Sequence, residues 1–129
     1  MRRLILAVLL CLSAESAYAD WTKITSTSDS DMYADFSTIR RKDHTVKMWV
    51  LHDYHKPQAT PDNKPYLSIK ILAQFDCAEE ESRFLASIDY AEGMGTGDPL
   101  SSYYTPSKWT PIIPRSIAET MKNVACPAE

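Results

Sequence analysis

The chain has 129 residues, of which 24% are charged and 10% aromatic, with a formal net charge of −3 and three cysteines. This length allows one domain with one modest core and leaves no room for a second domain. The mildly acidic balance argues against nucleic acid or an anionic membrane as the main partner.

The N-terminus has the pattern of a secretory signal peptide. Met1-Arg2-Arg3 is positively charged, residues 4–12 are apolar, and Ala17-Tyr18-Ala19 is a small-x-small cleavage signal. We therefore predict a cleaved signal peptide over residues 1–19 and a single domain over 20–129. No later stretch approaches the about 20 apolar residues that a membrane span needs, so we expect no transmembrane segment in the mature chain.

Export changes the cysteine count. Cys11 belongs to the leader, and Leu10 stands before it where a lipid-attachment motif would have a small residue, so we expect removal rather than lipidation. Cys77 and Cys126 then remain in an oxidising compartment, which predicts one disulfide between them. The bridge would close a loop of 49 residues. The chain-entropy model gives such a loop about 4 kcal/mol of stabilisation.

The first half of the mature chain favours strands. We predict short strands over Asp20–Thr25 and Met32–Phe36, with a polar loop between them, and a charged turn over Arg40–His44. Thr45–Tyr54 is a longer strand whose apolar residues fall on both faces, so both faces should be partly covered. Lys56–Pro65 contains three prolines and is predicted to be an exposed loop.

The second half has the clearest alternation. In Tyr66–Cys77 apolar and polar residues alternate, which places Cys77 on the core face of a strand. Ser82–Tyr90 should return antiparallel after a short acidic turn. Its apolar side chains are predicted on one face: Phe84, Ala86, Ile88 and Tyr90. The three glycines, at 93, 95 and 97, mark a sharp bend, and Leu100–Thr105 is the predicted last strand.

The C-terminal segment predicts a capped helix over residues 117–126. Ser116 followed by Glu119 has the spacing of a capping box, which satisfies backbone N–H groups at a helix N-terminus. A stripe at helical spacing should face the sheet: Ile117, Met121 and Val124. Sequential strands with one terminal helix indicate an α+β fold, in which the helix packs on one face of an antiparallel sheet and the disulfide ties it there.

Two histidines come nearest to a metal or haem site. His52 and His55 are good candidates by chemistry, because neutral imidazoles are common metal ligands. A regular strand places residues three apart on opposite faces, so the two side chains would converge only if the chain bends there. The alternative is a solvated strand end.

A basic cluster stands out in this acidic chain. Arg40, Arg41 and Lys42 could bind a sulfated glycan or an acidic protein patch, although a charged hairpin tip that prevents edge aggregation is the commoner explanation. Aromatic residues on the outer strand face, such as Trp49, are candidates for a homodimer contact, but more often belong to the core. No nucleophile, general base or metal constellation is visible, so we expect no enzyme and no cofactor.

An ordered set of short motifs runs along most of the mature chain: Trp21, Tyr33-x-Asp35, Val46-x-x-Trp49, Asp53-Tyr54, Tyr66-x-Ser68-x-Lys70, Asp76-Cys77, Arg83, Tyr90, and Trp109-x-Pro111-x-x-Pro114-x-Ser116 with Cys126. This set resembles the surface-adhesin protein E family of exported bacterial proteins. The resemblance implies a six-stranded antiparallel sheet with a C-terminal helix tied to it by a Cys77–Cys126 disulfide.

For function, the resemblance implies surface display and binding of host extracellular-matrix or serum proteins such as vitronectin and laminin. It places the protein in the periplasm or at the cell surface of a Gram-negative-type bacterium. The alternative function is that of a periplasmic protein that binds a small molecule, a metal or haem through His52 and His55 and has no adhesive role.

Overall fold

The computed structural model describes residues 20–127, so the predicted signal peptide lies outside the described residues. The described part forms eight strands and one α-helix: β1 (Thr22–Ser26), β2 (Ser30–Ala34), β3 (Arg40–Lys42), β4 (Thr45–Ala59), β5 (Pro65–Asp76), β6 (Glu81–Tyr90), β7 (Pro99–Tyr103), β8 (Thr110–Pro111) and α1 (Ile117–Ala125). Short 3-10 turns occur at Phe36–Thr38 and Gly93–Gly95.

All the strands belong to one antiparallel sheet in the order β1-β2-β4-β5-β6-β7. Along one side of β4, β2 pairs with residues 50–54 and β3 pairs with residues 45–47. In the same way β7 and β8 both pair with β6. The eight segments therefore occupy six strand positions, which confirms the six-stranded sheet that the resemblance implied.

The two faces of the sheet differ in what covers them. On β4, alternate side chains such as Met48 and Val50 point towards α1, and we call this side the helix face. Lys47 and Trp49 point to the other side, which we call the open face. The core lies between α1 and the helix face, where these buried residues pack together: Met32, Ala34, Val46, Met48, Val50, Ile71, Ala73, Phe75, Met121, Ala125 and Cys126.

The predicted disulfide is confirmed, since Cys77 and Cys126 are bonded in the structure. It joins the end of β5 to the residue that follows α1. Arg41 strengthens the same junction, because its Nη2 donates a hydrogen bond to the carbonyl oxygen of Ala125 at 3.0 Å. The helix end is thus held both covalently and by a bond to β3. No helix within residues 20–127 is long and apolar enough to cross a bilayer.

The helix begins as the sequence predicts, with one difference in its cap. Ser116 Oγ accepts a hydrogen bond from the Glu119 N–H at 3.2 Å, as a capping box requires. The Glu119 carboxylate accepts from the N–H of Arg115 rather than from that of Ser116. Of the predicted stripe, Met121 is buried, whereas Ile117 is 36% exposed because the first turn extends past the core.

The predicted loop over Lys56–Pro65 is only partly correct. Strand β4 continues to Ala59, which leaves residues 60–64 as the connection to β5. The pairing of β4 with β5 shifts between Asp53 and Gln58, and Pro57 lies within this irregularity. A proline has no N–H to donate to a ladder, so a bulge tolerates it where a regular central strand would not.

A second irregularity corrects the predicted face of Phe84. The register of β5 with β6 shifts so that Ala86 lies opposite Leu72, whereas Phe84 lies opposite Ala73. Leu85 is the extra residue of this bulge, which reverses the side on which the following side chains point. Phe84 therefore lies on the helix face, 55% exposed, while Ala86 lies on the open face.

Candidate functional site

The basic cluster lies on a hairpin at one end of the sheet. Residues 40–42 form β3, and Lys42 pairs with Thr45 of β4 across a two-residue turn. Asp43 in this turn has a φ of 55°, a left-handed conformation that aspartate adopts more readily than most residues. The predicted charged turn is therefore a hairpin whose first strand carries three consecutive cations.

Two cations that are distant in sequence join this hairpin. Gln74 of β5 pairs with Lys47 on one side and with Arg83 on the other, so both cations lie in one row across the open face. A shallow cleft of about 170 Å³ is lined by five cations, which we call the basic surface: Arg40, Arg41, Lys42, Lys47 and Arg83. Strand alternation predicts that Lys47 points outward, but only the long-range register brings Arg83 beside it.

The arginines of the basic surface are held by neutral partners. Arg83 Nε donates to Gln74 Oε1 at 2.7 Å, and its guanidinium carbon lies 4.5 Å from the centre of the Trp109 ring. Arg40 Nη1 donates to the carbonyl oxygen of Ile39 at 2.8 Å. The ion pairs formed among residues 20–127 include none of the five cations. None of these charges is therefore neutralised by a direct ion pair within the described residues, although Asp76 and Glu81 lie in the next row of the open face.

His52 lies on the helix face of β4, between Met32 of β2 and Ile69 of β5. Burial lowers the pKa of His52 to about 4, so its imidazole is neutral near pH 7. It lines an apolar cleft of about 200 Å³ between the sheet and the first turn of α1, beside Phe84 and Ile117. This histidine is thus part of a mainly apolar environment.

His55 lies apart from His52, on the exposed edge near β2. Its Nε2 is 3.3 Å from Asp31 Oδ1, and its Nδ1 is 3.1 Å from the carbonyl oxygen of Ser28. The hydrogen bond to Asp31 raises the pKa of His55, and the bond to Ser28 acts in the same direction. The structure does not bring the two histidines together. Residues 20–127 contain no group of three or more His, Cys, Asp or Glu side chains that could hold a metal ion.

Trp49 is neither a core residue nor a fully exposed one. It lies partly buried on the open face, in a recess that it shares with Trp21. Its backbone N–H donates to Thr38 Oγ1 at 3.0 Å, and its carbonyl accepts from the Asp35 N–H. The 3-10 turn after β2 is thereby held against the edge of this recess.

Comparison with known proteins agrees with this architecture. The model of a family described as surface-adhesin protein E matches residues 21–127. Among solved structures, the selenomethionine form of Haemophilus influenzae protein E superposes with a TM-score of 0.65 at 13% identity, over 82% of this chain and 84% of that chain. Crystal form II of Haemophilus influenzae protein E gives a TM-score of 0.63 at 15% identity, over 81% and 95%. No curated protein sequence matches the chain.

Proposed function

Because the chain belongs to the surface-adhesin protein E family, we propose that it is an exported envelope protein that binds host extracellular-matrix or serum proteins, such as vitronectin and laminin, and catalyses no reaction. The observation that carries the proposal is the basic surface on the open face. Export is supported by the leader pattern of residues 1–19.

The basic surface has the properties of a site for an acidic partner. Four of the five cations point to the open face, whereas the guanidinium of Arg41 bonds to Ala125 at the helix end. None of the five forms an ion pair with a carboxylate of residues 20–127, although the chain as a whole has a net charge of −3. Such a patch attracts the negative surface of a partner, increases the association rate and makes binding sensitive to salt. Arginine adds specificity, because its planar guanidinium can donate two parallel hydrogen bonds to a carboxylate or a sulfate.

The test is surface plasmon resonance on immobilised vitronectin and laminin. The variant Arg40→Ala/Lys42→Ala/Lys47→Ala removes three cations but keeps Arg41, whose bond to Ala125 holds the helix end. Exposed ion pairs are worth roughly 0.2–1 kcal/mol each, so we expect the loss of three to lower its affinity by about 3- to 150-fold.

The matched control is Lys23→Ala/Lys56→Ala/Lys64→Ala, which removes the same charge from exposed positions outside the cleft. It should bind like the unaltered protein, and binding of the unaltered protein should weaken as salt is raised. Equal loss in both variants would mean that net charge alone matters. Absence of binding to either partner by the unaltered protein would refute this choice of partners.

A second candidate function is binding of a small molecule, a metal or haem in the periplasm. The observation in its favour is the cleft of about 200 Å³ between α1 and the sheet, whose lining includes a neutral His52. Titration with haem or divalent metals, followed by absorbance, tests the predicted role of His52 and His55. A response that disappears in His52→Leu would support this function, and a flat titration for every ligand would exclude it.

A further inference from the structure

A second recess on the open face combines aromatic rings with two charges of opposite sign. It has a volume of about 250 Å³, and we call it the aromatic pocket after the residues that define it: Trp21, Asp35, Trp49, Lys70 and Tyr90. Pockets for drug-sized ligands begin at roughly 300 Å³. The aromatic pocket therefore suits a single ring of a larger ligand rather than a macrocyclic cofactor.

Lys70 is positioned in this pocket without an acidic partner. Its Nζ lies 4.7 Å from the centre of the Tyr90 ring. Gly95, with a φ of +66°, packs against the lysine stem so closely that a Cβ there would lie 2.5 Å from Lys70 Cε. None of the ion pairs formed within the described range, 20–127, includes Lys70. The pocket thus presents a held cation whose hydrogen-bond donors are available to an anionic ligand.

Asp35 supplies an acceptor in the same pocket. The residue is only 4% exposed, and its Oδ1 accepts hydrogen bonds from the backbone N–H of Ser37 at 3.0 Å and from the Ser37 hydroxyl. Oδ2 accepts no hydrogen bond from residues 20–127. Every fully buried side-chain oxygen in that range has a hydrogen-bond partner, so Oδ2 is not fully buried. Because Asp35 lines the pocket, a ligand hydroxyl there can donate to Oδ2.

We propose that the aromatic pocket binds one pyranose ring of a glycosaminoglycan, a chain in which a uronate alternates with an amino sugar. The apolar face of the ring stacks on the indoles of Trp21 and Trp49. A ring hydroxyl donates to Asp35 Oδ2, and the uronate carboxylate accepts from Lys70 Nζ. This assignment deepens the function proposed above and rests on it for the role of the basic surface.

The arrangement of the open face selects this class of glycan. Lys47 of the basic surface and Trp49 of the aromatic pocket are two residues apart on one face of β4, a separation of about 6.6 Å. The two sites are therefore contiguous. A chain that carries an anionic group on each repeat can occupy both, whereas a neutral sugar would leave Lys70 without a partner. A glycan with a single terminal acid would leave the basic surface unused.

The test is calorimetric titration of the mature protein with three tetrasaccharides. The heparin tetrasaccharide carries sulfates and carboxylates, the heparosan tetrasaccharide carries the carboxylates alone, and chitotetraose is neutral. We expect affinity to fall in that order. Trp21→Ala and Lys70→Met should each weaken heparosan binding at least tenfold. The controls Tyr104→Ala, at an aromatic residue 69% exposed outside the pocket, and Lys64→Met should not weaken it.

The basic surface gives a further comparison. Arg40→Ala/Lys42→Ala/Lys47→Ala should remove the advantage of heparin over heparosan and leave heparosan binding in place. The proposal would be overturned if the unaltered protein did not bind heparosan. It would also be overturned if Trp21→Ala and Lys70→Met bound heparosan as tightly as the unaltered protein. Binding of a hexaproline peptide that Trp21→Ala abolishes, with no sugar binding, would assign the pocket to peptides instead.

A measurement on the unaltered protein covers the case in which a variant does not fold. The indole N–H signals of Trp21 and Trp49 in a nitrogen–proton correlation spectrum should shift on addition of heparosan tetrasaccharide, and that of Trp109, next to Arg83, should not. Unchanged Trp21 and Trp49 signals would overturn the proposal. Binding to vitronectin or laminin without sugar binding would overturn it too, but would leave the function proposed above intact.

Discussion

Replacing both bridge cysteines, as Cys77→Ala/Cys126→Ala, should cost about 4 kcal/mol of unfolding free energy. The bridge closes a loop of 49 residues, which restricts the unfolded chain. Removing it raises the conformational entropy of the unfolded chain and so favours unfolding. Alanine is the suitable replacement, because Cys126 is only 9% exposed and a buried serine would add its own penalty. The nine residues of α1 are too few to form a stable helix alone, so packing of Met121 and the bond from Arg41 would have to hold it.

The assay is urea unfolding followed by tryptophan fluorescence. With a slope of about 1.5 kcal/mol/M, the midpoint should fall by roughly 2.5 M. The control Met121→Ala should lose about 2–5 kcal/mol through a cavity while the bridge stays intact. A loss below about 1 kcal/mol in the cysteine variant would refute the reasoning, since it would mean that packing alone fixes the helix. While it remains folded, the cysteine variant should keep the binding of the open face.

Other outcomes concern single residues. Lowering the pH from 7 to 4 should cost about 3 kcal/mol of stability through His52. In the unfolded chain His52 is protonated below its ordinary pKa of 6.5, whereas in the folded protein it is protonated only near its pKa of about 4. The unfolding free energy of His52→Leu should therefore depend less on pH across this range. His55 acts with the opposite sign, because its raised pKa gives stability that is complete below pH 6.5 and is lost as the pH rises through the folded pKa. Asp31→Asn should return the His55 pKa, measured by NMR, towards its ordinary value. Ser116→Ala should cost about 1 kcal/mol in thermal unfolding, and Ser116→Thr much less, since threonine keeps the acceptor for the Glu119 N–H.

Local patterns account for most of the fold. The alternation of Tyr66–Cys77 identified β5 and its core face, and the Ser116 cap located the start of α1. The bulge at Leu85 was not predictable in this way, because its sequence alternates as a regular strand would and only the pairing with β5 shows the extra residue. The continuation of β4 past Pro57 is not predictable either, because an irregular register removes the need for the N–H that proline lacks.

The candidate site, too, could be predicted only where its residues are adjacent in the sequence. The three cations of β3 were evident because they are consecutive, whereas Lys47 and Arg83 join them only through the register of three strands. A regular strand places residues three apart on opposite faces, and in the structure His52 and His55 do have separate surroundings. A single sequence does not show which distant residues the pairing of strands brings together.

The central claim is that partners bind on the open face rather than on the helix face. Hydrogen–deuterium exchange of the mature protein, free and bound to vitronectin or laminin, tests it most directly. We predict slower exchange in peptides that cover residues 40–47 and 82–85, which carry the basic surface, and unchanged exchange in α1. Protection confined to α1 and the cleft beside Phe84 would contradict the claim.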